Sequence, residues 1–296
     1  MLRRLPAQIE QGLPKGWTDL LRQLTLFGGA YLAYRLVEGA VDGSSAPAFA
    51  HARDLISIER TLHIFVEPSV QSWASGSHLL MVLATYLYIN AQTTILIALL
   101  LYLYLFHNRS YYFVRNMLFV AMLLALIGYA VFPTAPPRFL PNWGFVDTVS
   151  NITGTSARNN AIAKEFVNPY AAVPSMHVAF AVMIGWTLAR LAKHTLTRVW
   201  WTAWPVLITF VTVITANHFL FDAVLGLATA GVSAIVARRL ARARPQAWTF
   251  VGQSGARARV AISSARRRPR SVRRSRRVDR APRVAPLTRA QSCVTG

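Results

Sequence analysis

Residues Asn168–Trp186 read NPYAAVPSMHVAFAVMIGW, a loop that passes into a run apolar enough to cross a bilayer. The run carries a histidine, His177, in its first turn. Farther along, Thr215–Gly231 reads TANHFLFDAVLGLATAG and repeats the design, with His218 at the head of an apolar run and Asp222 four residues on. Ionisable groups inside apolar spans are rare and are kept where they do chemistry. The two stretches together point to an all-α integral membrane protein with a polar site at the mouths of its helices.

The rest of the chain agrees. Hydrophobic residues make up 54% of it and charged residues only 15%, against about 25% in soluble domains. Six apolar stretches approach the roughly 20 helical residues that a hydrocarbon layer requires. They lie near Leu24–Val41, Leu79–Phe106, Tyr112–Phe132, Pro174–Leu191, Val199–Ala216 and Phe219–Val236. Arg35 and Glu38 interrupt the first, three apart and able to pair on one face. These charges argue against reading it as a cleaved signal segment, although GSSAPAFA supplies small residues after it. The second stretch is longer than the hydrocarbon core, so a helix over it either tilts strongly or breaks near Asn90 and Gln92.

Charge sets the expected organisation. From Arg238 onward there are 17 arginines and one aspartate, so the tail holds most of the formal +21. Three parts follow: a cytoplasmic N-terminus (1–20), a six-helix membrane domain (21–240) and a disordered Arg-rich tail (241–296). Arg3, Arg4 and Lys15, then Arg109 and Arg115, then Arg190, Lys193 and Arg198, then the tail all fall on one side of six crossings. The positive-inside rule makes that side the cytoplasm, with both termini there. Beside a membrane helix the expected partner of the tail is anionic lipid, not nucleic acid. Across the bilayer, ISIERTLHIFVEPSVQSWA is amphipathic and expected along the interface. The sole cysteine, Cys293, allows no internal disulfide.

In this topology the fourth and sixth spans both begin at the outer face. Their N-termini offer unpaired N–H groups and partial positive charge, which suits phosphate. Pro174 fits the first helical position, and Ser175 follows as a phosphate contact. His218 and Asp222 share a helical face, so the carboxylate can hold one imidazole nitrogen and leave the other free to attack. His177 is placed to act as acid and base. Arg138, held among prolines in TAPPRFLP, brings a fork of donors for phosphate oxygens, with Arg158 and Lys164 as weaker candidates in the same loop. The other histidines lack such company and read as interfacial. Two histidines and a carboxylate also resemble a metal triad, but two helix N-termini and Arg138 repel cations, so no metal and no cofactor are expected.

The set APPR, PSMH and NHFLFD resembles the motifs of the type 2 phosphatidic acid phosphatase superfamily, and within it the inositol phosphorylceramide synthase-like branch. The likeness covers roughly Tyr112 to Ala237. It implies a six-helix fold in the plasma membrane, His218 as nucleophile, Asp222 as its orienter, His177 as acid and base, and Arg138 as phosphate ligand. The site would face outward, and turnover would pass through phosphohistidine. The substrate would be a phospholipid or other lipid phosphate, and the acceptor water, a lipid or a polyol hydroxyl, with inositol-phosphoryl transfer slightly favoured. The sequence departs from the superfamily pattern at Val131, Phe139 and Thr212, where a lysine, a proline and an arginine are usual. The alternative class is a non-catalytic lipid-headgroup binder or transporter using the same anion site.

Overall fold

The computed structural model describes residues 16–40, 45–154 and 168–244. Arg158, Lys164, residues 1–15 and most of the Arg-rich tail, for which the sequence raises expectations, lie outside them. The described residues are all-helical, apart from an isolated bridge between Thr134 and Ala171. In chain order the helices are α1 (Gly16–Ala40), α2 (Ser45–Thr61), α3 (Glu67–Ser75), α4 (His78–Tyr86), α5 (Gln92–Phe106), α6 (Asn108–Val131), α7 (Thr148–Thr153), α8 (Met176–Leu191), α9 (Thr195–Ile214) and α10 (Leu220–Ala243).

Four runs are long and apolar enough to cross a membrane: His78–Phe106, Asn108–Val131, Thr195–Ile214 and Leu220–Ala243. Helix α8 is apolar but only 16 residues long. Helix α1 carries the charges that weaken its span; Arg35 Nη1 meets Glu38 Oε2 at 2.8 Å, the pairing that their spacing suggests. Large apolar side chains on the outside of the bundle, such as Leu83, Leu101, Leu123, Val206 and Leu227, are exposed. Such a surface suits lipid tails and is costly in water.

The second stretch neither breaks nor runs as a plain α-helix. A π-helical turn at Leu87–Ala91 joins α4 to α5. A π-turn widens the helix locally and re-aims the side chains around it. Here those side chains include Tyr88 and Gln92, which face the site.

Helix α6 is central and packs on α1, α5, α8 and α10. Its first turns hold a buried polar knot: Arg115 donates to Gln23 at 2.6 Å and to Asn116 at 2.7 Å. Asp19 accepts the hydroxyls of Tyr104 and Tyr112. These bonds pin α1 to the bundle, since burying such groups unpaired is expensive. The main core lies among α5, α6, α8 and α9. A second core is built from Leu55 and Ile56 of α2 with Leu140, Phe145, Val173, Ala216 and Phe219. The amphipathic segment that begins in α2 therefore covers the loops that lead into α8 and α10.

Candidate active site

Ser175 caps α8, its hydroxyl accepting Val178 N–H at 3.4 Å. Pro174 thus precedes the helix and does not open it as expected. The backbone N–H of Ser175 goes to the carbonyl of Asp222 at 3.2 Å, and the residue is fully buried. Ser175 thus joins the two helix starts. The approach is close because Gly226 faces it: a Cβ there would sit 2.5 Å from the Ser175 carbonyl oxygen.

His218 also differs from its expected position. It lies in the turn before α10, not on the helix, and Phe219 is the N-cap residue. Asp222 Oδ2 accepts the Phe219 N–H at 3.0 Å and meets His218 Nδ1 at 3.3 Å. One carboxylate thus closes the helix end and holds the imidazole. The turn is strained at Ala216, a buried residue with φ of 54°, a conformation that costs a residue with a Cβ about 1–2 kcal/mol. Its reward is local: the Ala216 carbonyl accepts the Arg138 N–H at 2.8 Å. Thr212, where an arginine is usual, gives its carbonyl to the N–H groups of Asn217 and His218.

The side chain of Arg138 donates through Nη1 to Asn217 Oδ1. Asn217 is itself oriented by Thr215, to whose hydroxyl its amide donates at 2.9 Å. The guanidinium also lies 4.8 Å from the centre of the Phe139 ring. His177 stacks on Tyr88 with ring centres 4.3 Å apart, and its ring centre is 5.7 Å from that of His218. Arg138, His177 and His218 line one cavity of about 220 Å³, which Asn217, Tyr88, Gln92, Tyr129, Tyr34, Arg35 and Glu38 also border. Burial, and then the Arg138 guanidinium, holds His218 well below the ordinary imidazole range, so the ring is neutral and has a lone pair to offer.

The expectation of two open helix ends fails at α10. The first N–H groups of α10 are taken: Leu220 donates to Glu67 Oε1 at 2.9 Å and Phe221 to Glu59 Oε1 at 2.8 Å. With Asp222 on Phe219, three consecutive N–H groups end on three carboxyls. Glu59 and Glu67 are fully buried, and each keeps a second oxygen without a donor. Two such carboxyls cannot both ionise in one apolar pocket. Burial first, and then the neighbouring Glu67, pushes the Glu59 carboxyl up to about 9, so a proton resides on the pair at neutral pH. Neither residue was singled out from sequence. The available signal was two glutamates eight apart in an amphipathic segment of a chain with only 11 acidic residues. Asn217, Tyr88 and Gln92 were also missed as site residues.

Comparison with known proteins agrees with the motifs. The sequence model of the PAP2 superfamily matches residues 53–236, so the likeness begins in α2, well before Tyr112. Phosphoinositol dihydroceramide synthase of Bacteroides thetaiotaomicron is 28% identical over 128 residues, covering 36% of this chain and 39% of that protein. The chain thus aligns with well under half of that relative's length. No solved structure matches.

Proposed function

The chain belongs to the PAP2 superfamily, and from that premise we propose that it is a membrane phosphotransferase or phosphatase working on a lipid phosphate by double displacement at His218. The observation that carries the reading is the cavity on which Arg138, His177 and His218 meet, with the two imidazole centres 5.7 Å apart.

The steps follow from what each group can do. His218 Nδ1 faces Asp222, which leaves Nε2 to attack phosphorus. Arg138 and the first turn of α8 stabilise the charge that builds on the phosphoryl oxygens. The bond from phosphorus to the leaving oxygen breaks, and that oxygen takes a proton from His177. The acceptor hydroxyl then gives its proton to His177 and attacks the phosphohistidine, restoring His218. The chemistry is the same for water and for an alcohol. The likeness to a phosphoinositol dihydroceramide synthase and the hydroxyl, amide and carboxyl groups of Tyr34, Tyr88, Gln92 and Glu38 on the cavity wall favour transfer between hydroxyl-rich headgroups over hydrolysis.

The proposed setting has six crossings, with α1 and α8 joining the four longer spans and the Lys- and Arg-rich ends inside. The site then opens at the outer face of the plasma membrane. Arg158 and Lys164 remain proposed phosphate contacts from the loop before α8.

The test is to incubate the purified full chain with labelled lipid phosphates, phosphatidylinositol among them, with and without diacylglycerol, ceramide or inositol as acceptors. Label passing to an added alcohol supports transfer, and release of free phosphate in preference to it supports hydrolysis. Lipid binding with no turnover of any substrate would return the protein to the binder class.

A further inference from the structure

At the end of the bundle away from the histidines, α6 begins and α8 and α10 finish. Arg109, Arg190 and Arg238, one from each helix, converge there on an open cleft of about 750 Å³. Along α8, Arg190 stands 13 residues beyond His177, a rise of about 20 Å at 1.5 Å per residue. Among the described residues none of the three arginines has a carboxylate partner, since the two ion pairs are Arg35–Glu38 and His218–Asp222. Three unpaired like charges facing one cleft repel each other unless an anion sits among them.

The cleft is built to hold that anion. The Arg190 guanidinium lies 4.6 Å from the Trp186 ring centre, and Arg238 lies 5.4 Å from that of Phe113. Aromatic faces fix the direction of both forks. Thr187 also lines the cleft; it is only 5% exposed, and its hydroxyl is buried without a hydrogen-bond partner. A buried hydroxyl in an apolar helix is costly unless something bonds to it. Phe113 and Trp186 add an apolar flank on which acyl or glycerol carbons can lie, which a free phosphate would not use.

We infer that this cleft binds the headgroup phosphate of an anionic phospholipid, as a resident lipid of the leaflet opposite the active site. Arg109, Arg190 and Arg238 pair with the phosphate oxygens, Thr187 donates to one of them, and Trp186 and Phe113 flank the glycerol. None of the cleft's residues lines the catalytic cavity or belongs to the Arg-rich sequence beyond α10.

The full chain in phosphatidylcholine nanodiscs is titrated with phosphatidylglycerol, reading melting temperature and the number of lipids retained in native mass spectra. Phosphatidylglycerol should raise the melting temperature and stay bound at one molecule per chain, with added phosphatidylcholine giving neither effect. Arg190→Gln with Arg238→Gln should weaken binding about 30-fold, at about fivefold per charge, while the tail is unchanged. Should that pair fail to fold, Thr187→Val, close in shape, carries the test with an expected loss of about fivefold. Wild-type affinity in these variants would overturn the inference by assigning the binding to the tail. Equal stabilisation by glycerol 3-phosphate at the same concentration would overturn the lipid in favour of a free phosphate.

Discussion

Glu59 Oε1 accepts the backbone N–H of Phe221 at 2.8 Å, so a carboxyl from α2 ends on the helical turn that carries Asp222. The second oxygen of Glu59 is buried without a donor, and burial with Glu67 close by keeps a proton on the pair. The folded-state pKa of Glu59 lies above its ordinary 4.5, so its stabilising contribution is complete below about pH 4.5 and is lost as pH climbs toward about 9. Other titratable or charged groups nearby are Asp222 with its partner His218, and Arg60, which is turned to the rings of Phe65 and Trp143. Wild-type melting temperature in detergent should fall from pH 5 to pH 9. Glu59→Gln keeps an oxygen for Phe221 and supplies an N–H for Glu67, so its profile should be flatter. Glu59→Ala leaves a buried N–H unpaired and should cost about 1–3 kcal/mol. A wild-type pH profile in Glu59→Gln would remove the shared proton.

What could be read in the chain, and what could not, divides along physical lines. Apolar length and charge asymmetry are local signals, so the helices α4 through α6 and α8 through α10 lie close to where they were expected. The His218–Asp222 contact was also legible, because four residues is a short separation, although the contact is made across a helix cap and not along a helical face. The carboxyls of Glu59 and Glu67 act on N–H groups 162 and 153 residues away, and no local period reveals such a partner. Nor does composition reveal the π-turn at Leu87–Ala91, which carries Tyr88 to the ring of His177. The helix-end reading failed at α10 for a general reason: a free helix N-terminus attracts any buried carboxylate, and the chain supplies its own.

Gly226 tests whether the close seating of α10 on α8 matters. Its missing side chain leaves room for the Ser175 carbonyl, which a Cβ would approach to 2.5 Å. Because the obstacle is backbone, it cannot rotate away, and Gly226→Ala must separate the helices. We expect a loss of about 1–3 kcal/mol and a larger fall in turnover than in lipid binding, since Ser175 and Asp222 move with the helices. Gly231 has open space at the same test, so Gly231→Ala serves as the control with little effect on either. Equal behaviour of the two variants would show that the contact has no bearing on the site.

Asn217 tests the orientation of Arg138. Its amide is set by Thr215, so its oxygen faces the guanidinium and takes one donor of the fork. Asn217→Asp places a charge there and should draw Arg138 away from phosphate, lowering kcat/KM. Arg138→Gln removes the cation altogether and should cost about 10²–10³-fold. Adding Arg138→Gln to Asn217→Asp should do little further harm, because both act on one guanidinium. Additive losses would show that Asn217 works by another route.

Orientation is open to direct measurement. With the Lys- and Arg-rich ends inside, a reporter fused after Arg239 should be cytoplasmic. A tag inserted in residues 151–160, on the His218 side, should be reached from outside intact cells. The reverse labelling pattern would put the active site in the cytoplasm, and the lipid substrate pool with it.

The division of labour between the two histidines can be separated by leaving group. If His218 is the nucleophile, His218→Ala has no covalent route, and no acid-labile label should remain on the protein after a short pulse with any substrate. His177→Ala removes the acid, and with a lipid alkoxide as leaving group it should be slowed about 10²–10⁴-fold. An activated aryl phosphate needs little protonation, so His177→Ala should still form the phosphoenzyme from it. That intermediate should then accumulate, because the same imidazole is required to take the proton of the acceptor. Asp222→Asn keeps the shape of the side chain but disturbs the tautomer held across the 3.3 Å contact with His218, so it should slow both steps with binding retained. Label on His218→Ala equal to wild type would transfer the nucleophile to another residue. A His177→Ala variant that turns over the aryl substrate at the wild-type rate would take the acceptor step away from His177.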